Sequence, residues 1–243
     1  MWTGPFTKSG KSALVAEGPW IYALDAIAVH AVCEREELEH ILPEGLKPTG
    51  EIYIYFADII SKSPSFPELN YQAPGLVQYK ELAIFTKVKF EGKNYAYCPF
   101  MYVDNDVSLL RGYVAGFPKK MAVIDITKQH SMLEMERRGG TAMRSGYGLI
   151  KLIVEAREDV GSNPLDSFGS WLLYRISAPM GVREFVEIVP DVEYGHIRKG
   201  TGELEIGGGI NDELEHLKIM EVVAGYSFSA ILKVSELNIL KNL

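Results

Sequence analysis

The chain holds only two cysteines, Cys33 and Cys98, in unrelated surroundings. A disulfide scaffold is excluded by count, a single bridge is the most they allow, and the expectation is two free thiols in a reducing cytoplasm. An excess of positive charge is also missing: 25 Lys+Arg stand against 32 Asp+Glu, net −7, with no basic stripe for a nucleic-acid backbone. There is no long apolar run. Residues 20–32 come nearest, but Asp25 and His30 interrupt them and they are too short to cross a membrane. The five histidines show no pairing with each other or with cysteine at metal spacing, so no metal site is expected. The first residues, Met1-Trp2-Thr3-Gly4-Pro5, lack the charged start and apolar block of a signal peptide. Residues 4–12 only approximate a phosphate loop: five residues separate Gly4 from Gly10 where the motif needs four, and Pro5 removes a backbone N–H. Gly207-Gly208-Gly209 reads as a tight turn.

What remains is an ordinary globular composition, 243 residues with 47% hydrophobic, expected as a single domain over 1–243. β-branched and aromatic runs predict strands at 20–33, 52–60, 78–90, 95–103, 121–127, 132–137, 149–156, 171–176, 185–192, 202–206 and 222–232. Glu91-Gly92-Lys93-Asn94 joins the third and fourth as a hairpin, and Gly139-Gly140 is read as a turn. Short helices are expected at 34–42, 106–113 and 211–217, the last capped by Asn211. Residues 61–75, with three prolines, read as an ordered surface loop of the length common in lids. Closely spaced strands and few helices imply an α+β, mainly β chain: one large curved antiparallel sheet, cone- or barrel-like, with helices at its margins.

One segment is chemically unusual. In Gly116-Phe117-Pro118-Lys119-Lys120-Met121-Ala122 two lysines sit side by side among apolar residues. A lysine amine attacks a ketone only when neutral, and at its ordinary pKa of about 10.4 roughly one in a few thousand is neutral at pH 7. Apolar burial and a neighbouring cation both favour the neutral form. Adjacent side chains on a strand diverge, so desolvation of Lys119 is expected to outweigh any effect of Lys120.

At these residues the sequence resembles the acetoacetate decarboxylase superfamily. Pro118-Lys119-Lys120 is similar to its active-site segment. Tyr79-Lys80-Glu81, Met101-Tyr102-Val103-Asp104-Asn105-Asp106 and Leu42-Pro43-Glu44-Gly45-Leu46 follow its order from about residue 20 to residue 125. The resemblance implies a curved β-sheet around a buried pocket and a homo-oligomer. It assigns Lys119 as the Schiff-base lysine with Lys120 its neighbour, Glu81 as a pocket glutamate, and Met101 and Phe117 as apolar wall. No cofactor is implied, because the protonated imine is itself the electron sink. The substrate implied is a small β-keto acid or ketone, and the reaction an acetoacetate decarboxylase-like lyase step.

The sequence departs from the family in three places. Residues 22–32 contain no arginine where the family carries one, with Leu24 at the matching position. Asp58 is the only acid near the position of a second pocket glutamate. Arg111-Gly112-Tyr113 replaces the family's Gly-Arg-Glu. The lysine machinery is present while the carboxylate-handling positions differ. This leaves open a Schiff-base aldolase or dehydratase, and a non-catalytic small-anion binding protein. Glu155 and Glu187, on predicted strands, read as solvated positions rather than site residues.

Overall fold

A computed structural model describes residues 3–16, 18–130, 132–133, 135–177, 181–234 and 237–243. The strands are β1 (Trp20–Cys33), β2 (Lys47–Lys62), β3 (Gln78–Phe90), β4 (Lys93–Val103), β5 (Lys119–Met121), β6 (Val123–Ile126), β7 (Arg137–Arg144), β8 (Tyr147–Asp159), β9 (Trp171–Ser177), β10 (Val182–Ile188), β11 (Asp191–Ile206), β12 (Ile219–Val234) and β13 (Asn238–Asn242). Among the described residues the helices are α1 (Arg35–Glu39), α2 (Leu69–Gln72) and α3 (Asp106–Ala115), with three short 3₁₀ segments. All strands join one 13-stranded sheet in the order β13-β10-β9-β4-β3-β2-β1-β12-β11-β8-β7-β6, with β5 added on β4. The sheet bends without closing, and β6 folds back to pack on β2 and β3. Pairing is antiparallel as expected, except that β4 runs parallel to β5 and to β9.

Because side chains alternate along a strand, β1 and β2 feed two different cores. Ile27, Val29, Ile52, Ile54 and Phe56 face β7 and β8 through Ala142 and Leu152 in a mainly aliphatic cluster. Ala26, Ala28, Tyr53, Tyr55 and Ala57 face the other way and join Tyr79, Phe85, Met101 and Phe228 in an aromatic cluster. Residues 52–57 are buried without interruption, since both faces of β2 are covered. The β3–β4 hairpin closes through Glu91 and Gly92, both at positive φ, which suits the strands' twist. Helix α3 starts where Asn105 accepts a hydrogen bond from the Ser108 N–H at 2.9 Å and ends at left-handed Gly116.

Several expectations need correction. The predicted strand at 132–137 begins only at Arg137; residue 134 lies outside the described residues. Gly139-Gly140 is no turn but mid-strand in β7, where a Cβ on Gly140 would come within 2.6 Å of the Phe56 ring. The glycine makes room for the aromatic ring. No helix forms over 211–217: Gly209 and Asp212 bridge, and only Leu214–His216 makes a 3₁₀ turn. The strand predicted at 185–192 breaks after Ile188, and a new strand starts at Asp191 just past Pro190, which has no N–H to give the ladder. The loop predicted over 61–75 is shortened by β2, which runs on to Lys62, and holds α2, which covers Trp20 through Leu69.

Candidate active site

The parallel register of β4 and β5 sets Lys119 beside Met101 and Lys120 beside Tyr102. Met101 belongs to the aromatic core and Tyr102 to the aliphatic one, so alternation sends the two lysines to opposite faces of the sheet. Lys119 therefore shares a face with Tyr79 and Glu81 of β3 and Tyr55 of β2. Its side chain is 7% exposed, and Nζ donates to Glu81 Oε2 at 2.8 Å and to Ser108 Oγ at 3.0 Å, 5.4 Å from the Tyr79 ring centre. The other Glu81 oxygen accepts from Tyr55 Oη at 2.6 Å. The lysine stem crosses Gly112 of α3, where any Cβ would overlap Lys119 Cδ and Cε.

These groups open on a cavity of about 70 Å³, walled by Phe85, Met101, Phe117 and Trp171 among others. Arg111 enters it from α3, one turn beyond Ser108. It is 4% exposed, with its guanidinium 4.3 Å from the Trp20 ring, 4.9 Å from Tyr22 and 5.7 Å from Tyr79. Aromatic faces attract a buried cation but do not neutralise it. Arg111 Nη1 donates to Ser61 Oγ at 3.3 Å, while Nη2 meets no acceptor. Burial pushes the Tyr22 phenol up to about 12, against the pull of Arg111, and burial raises Tyr79 and Tyr55 well above the ordinary range. The phenols stay protonated at neutral pH and supply no counter-charge. Among the described lining residues, two cations thus face one carboxylate, leaving one positive charge for an anion.

Lys120 is tied elsewhere. It donates to Asp212 Oδ1 at 2.9 Å and to the Asn211 carbonyl, and Asp212 also accepts Tyr102 Oη at 2.9 Å and pairs with Arg144 at 3.5 Å. The structure therefore brings together Lys119, Glu81, Met101 and Phe117 and leaves Lys120 out of the cavity, held through the sheet by strand alternation. Asp58 faces a different groove, 3.5 Å from Lys128. Neither Glu155 nor Glu187 lines the cavity. Leu24, at the family's arginine position, is apolar wall. Sequence reasoning noted Arg111 only as a displaced residue; its i, i+3 spacing from Ser108 on a helix leading into the lysine segment was the available signal.

A family model described as acetoacetate decarboxylase (ADC) matches residues 3–243. No curated protein matches the chain. Among solved structures, the enduracididine biosynthesis enzyme MppR complexed with pyruvate is 25% identical, with a TM-score of 0.89, covering 99% of this chain and 97% of that one. MppR has also been solved with the condensation product of pyruvate and imidazole 4-carboxaldehyde, at a TM-score of 0.87, 25% identity and coverage of 98% and 95%. An acetoacetate decarboxylase-like enzyme from Sphingomonas wittichii RW1 is 25% identical, with a TM-score of 0.90 and 99% of both chains covered. The acetoacetate decarboxylase of Legionella pneumophila shares the fold at 14% identity, with a TM-score of 0.80 and coverage of 100% and 93%. With the match running nearly end to end, the chain belongs to the acetoacetate decarboxylase family.

Proposed function

We propose that the chain is a cofactor-independent lyase that forms a Schiff base between Lys119 and a small 2-oxo acid, keeps the substrate's carboxylate against Arg111, and uses the resulting enamine for carbon–carbon bond chemistry. The observation that carries the reading is the charge count of the cavity, where Glu81 is matched by Lys119 and Arg111 is left with an N–H group that has no acceptor. MppR's capture of pyruvate supports the same substrate class.

The steps follow from the contacts. Glu81 takes a proton from the Lys119 ammonium, and the freed amine adds to the keto carbon. Loss of water gives a protonated imine, and removal of a proton from the neighbouring carbon gives the enamine. Glu81, steadied by Tyr55, is placed to move these protons. A carboxylate held by a cation is stabilised in the ground state, which opposes its departure as carbon dioxide. Arg111 therefore favours retention over decarboxylation.

The test pairs borohydride trapping with carbon dioxide release. Pyruvate should be trapped on the wild type and not on Lys119→Met. Arg111→Gln should weaken pyruvate trapping about 10- to 100-fold, the scale of one hydrogen bond to a charged group, while trapping of acetone, which has no carboxylate, changes far less. Steady carbon dioxide release from acetoacetate, with pyruvate trapping indifferent to Arg111, would make the enzyme a decarboxylase instead. No adduct with any ketone would leave the anion-binding reading.

A further inference from the structure

The Lys119 amine touches two oxygens, Glu81 Oε2 at 2.8 Å and Ser108 Oγ at 3.0 Å, and only the first is needed to move protons. Ser108 is fully buried at the third position of α3. Asn105 Oδ1 accepts its backbone N–H at 2.9 Å, and Asn105 is itself anchored by donating Nδ2 to the Gly75 carbonyl at 2.8 Å. Helix α3 thus meets the lysine at two points one turn apart. Gly112 lets the stem pass, and Ser108, four residues earlier, holds the tip. An ammonium has three donors and no acceptor, so Ser108 accepts from it and turns its own proton elsewhere. The Tyr79 oxygen takes that proton in a side-chain hydrogen bond. The titratable and charged groups facing the amine are Glu81 and Tyr79 from β3, Tyr55 from β2, Tyr22 from β1, Cys98 from β4 and Arg111 from α3.

Resting on the Schiff-base reading above for its use, we infer that Ser108 is a positioning residue for the nucleophile. With its proton held by Tyr79, it accepts one N–H of the neutral Lys119 amine while Glu81 accepts the other, and the lone pair is left facing the cavity. A neutral amine carries two N–H groups and one lone pair, distributed over the three staggered directions about Cε–Nζ. Glu81 alone fixes one direction and leaves the lone pair free to turn toward α3. A serine hydroxyl free to donate would do worse, hydrogen-bonding the lone pair and withholding it from the keto carbon. Tyr79 prevents this by occupying the Ser108 proton. The amine is therefore oriented before the substrate arrives, whatever else the ketone carries.

The experiment measures the amine's own reactivity, and so separates this inference from the functional reading. Lys119 is labelled with trace acetic anhydride from neutral to strongly alkaline pH, and its acetylation is quantified by peptide mass. Reductive trapping with acetone runs in parallel, because acetone has no carboxylate for Arg111. At the alkaline plateau the amine is neutral in every variant, so a partner of the ammonium no longer matters and only orientation does. Ser108→Ala, which keeps the capped backbone N–H, should lower that plateau about tenfold in both reactions, the scale of one neutral hydrogen bond. Tyr79→Phe should lower it about threefold, and the double variant should be no slower than Ser108→Ala, because Tyr79 acts through the serine. An unchanged plateau in Ser108→Ala, with only the midpoint of the pH profile moved, would make the serine a partner of the ammonium alone and overturns the inference. Losses that multiply in the double variant overturn it too, as does a wild-type Lys119 that resists acetylation at every pH. The expected acetylation pattern with no acetone or pyruvate adduct on the wild type upholds the positioning and removes the Schiff base assigned to the amine.

Discussion

Lys119 and Lys120 are neighbours in sequence and are built into matching triads on opposite faces of the sheet. Lys119 meets Glu81, which accepts from Tyr55; Lys120 meets Asp212, which accepts from Tyr102. The difference lies in what surrounds each triad. Lys119 is 7% exposed and faces a cavity with an incompletely paired arginine; Lys120 is 31% exposed, and its acid also holds Arg144. An ion pair with a tyrosine behind it is common to both, so it cannot be what makes a site. The empty volume and the spare charge beside Lys119 set it apart.

Substitutions should break the comparison to unequal degrees. Lys119→Met should lower turnover roughly 10³-fold or more, as loss of a nucleophile does, and should also lower the melting temperature, because it leaves the buried Glu81 carboxylate without its ion-pair partner. Gly112→Ala should come next, costing about 10²-fold in kcat, because the lysine stem must shift by around an ångström to admit the methyl. A wild-type rate in Gly112→Ala would mean the stem moves freely and position is not critical. Lys120→Ala should act on stability instead. It leaves Asp212 with Tyr102 and Arg144, so the cost should be about 1–2 kcal/mol, less than for an isolated buried charge. Chemical denaturation measures it, and imine trapping should persist.

The smallest effect concerns pH, away from both triads. Burial holds the His30 imidazole below its ordinary range, against the pull of Glu51. The unfolded chain then binds the proton more readily than the folded one, so this contribution is complete above about pH 6.5 and fades as pH falls below it. Thermal unfolding from pH 7.5 to 5.5 should show the decline, and His30→Gln should flatten it.

Much of this was legible because it is local. Strand alternation foretold that the lysines diverge, the β3–β4 hairpin followed from its turn residues, and Met101, Phe117 and Glu81 stood in matched motifs. Arg111 was not legible as a site residue. Its aromatic cage joins Trp20, Tyr22 and Tyr79, which meet only through the pairing of β1, β2 and β3. Gly140 misled for a similar reason: its meaning depends on Phe56, far away in sequence. Asn211 looked like a cap because its type suits one, yet its carbonyl is engaged by Lys120. The expectation weighed desolvation of Lys119 against the neighbouring Lys120; that Glu81, already named as a pocket residue, sits 2.8 Å from the amine emerges only from the register of β3, β4 and β5.

The most direct test is reductive trapping with pyruvate followed by peptide mapping across residues 116–124. One adduct is expected, on position 119, with position 120 unmodified at every time point. Label at 120, or at both lysines equally, would contradict it.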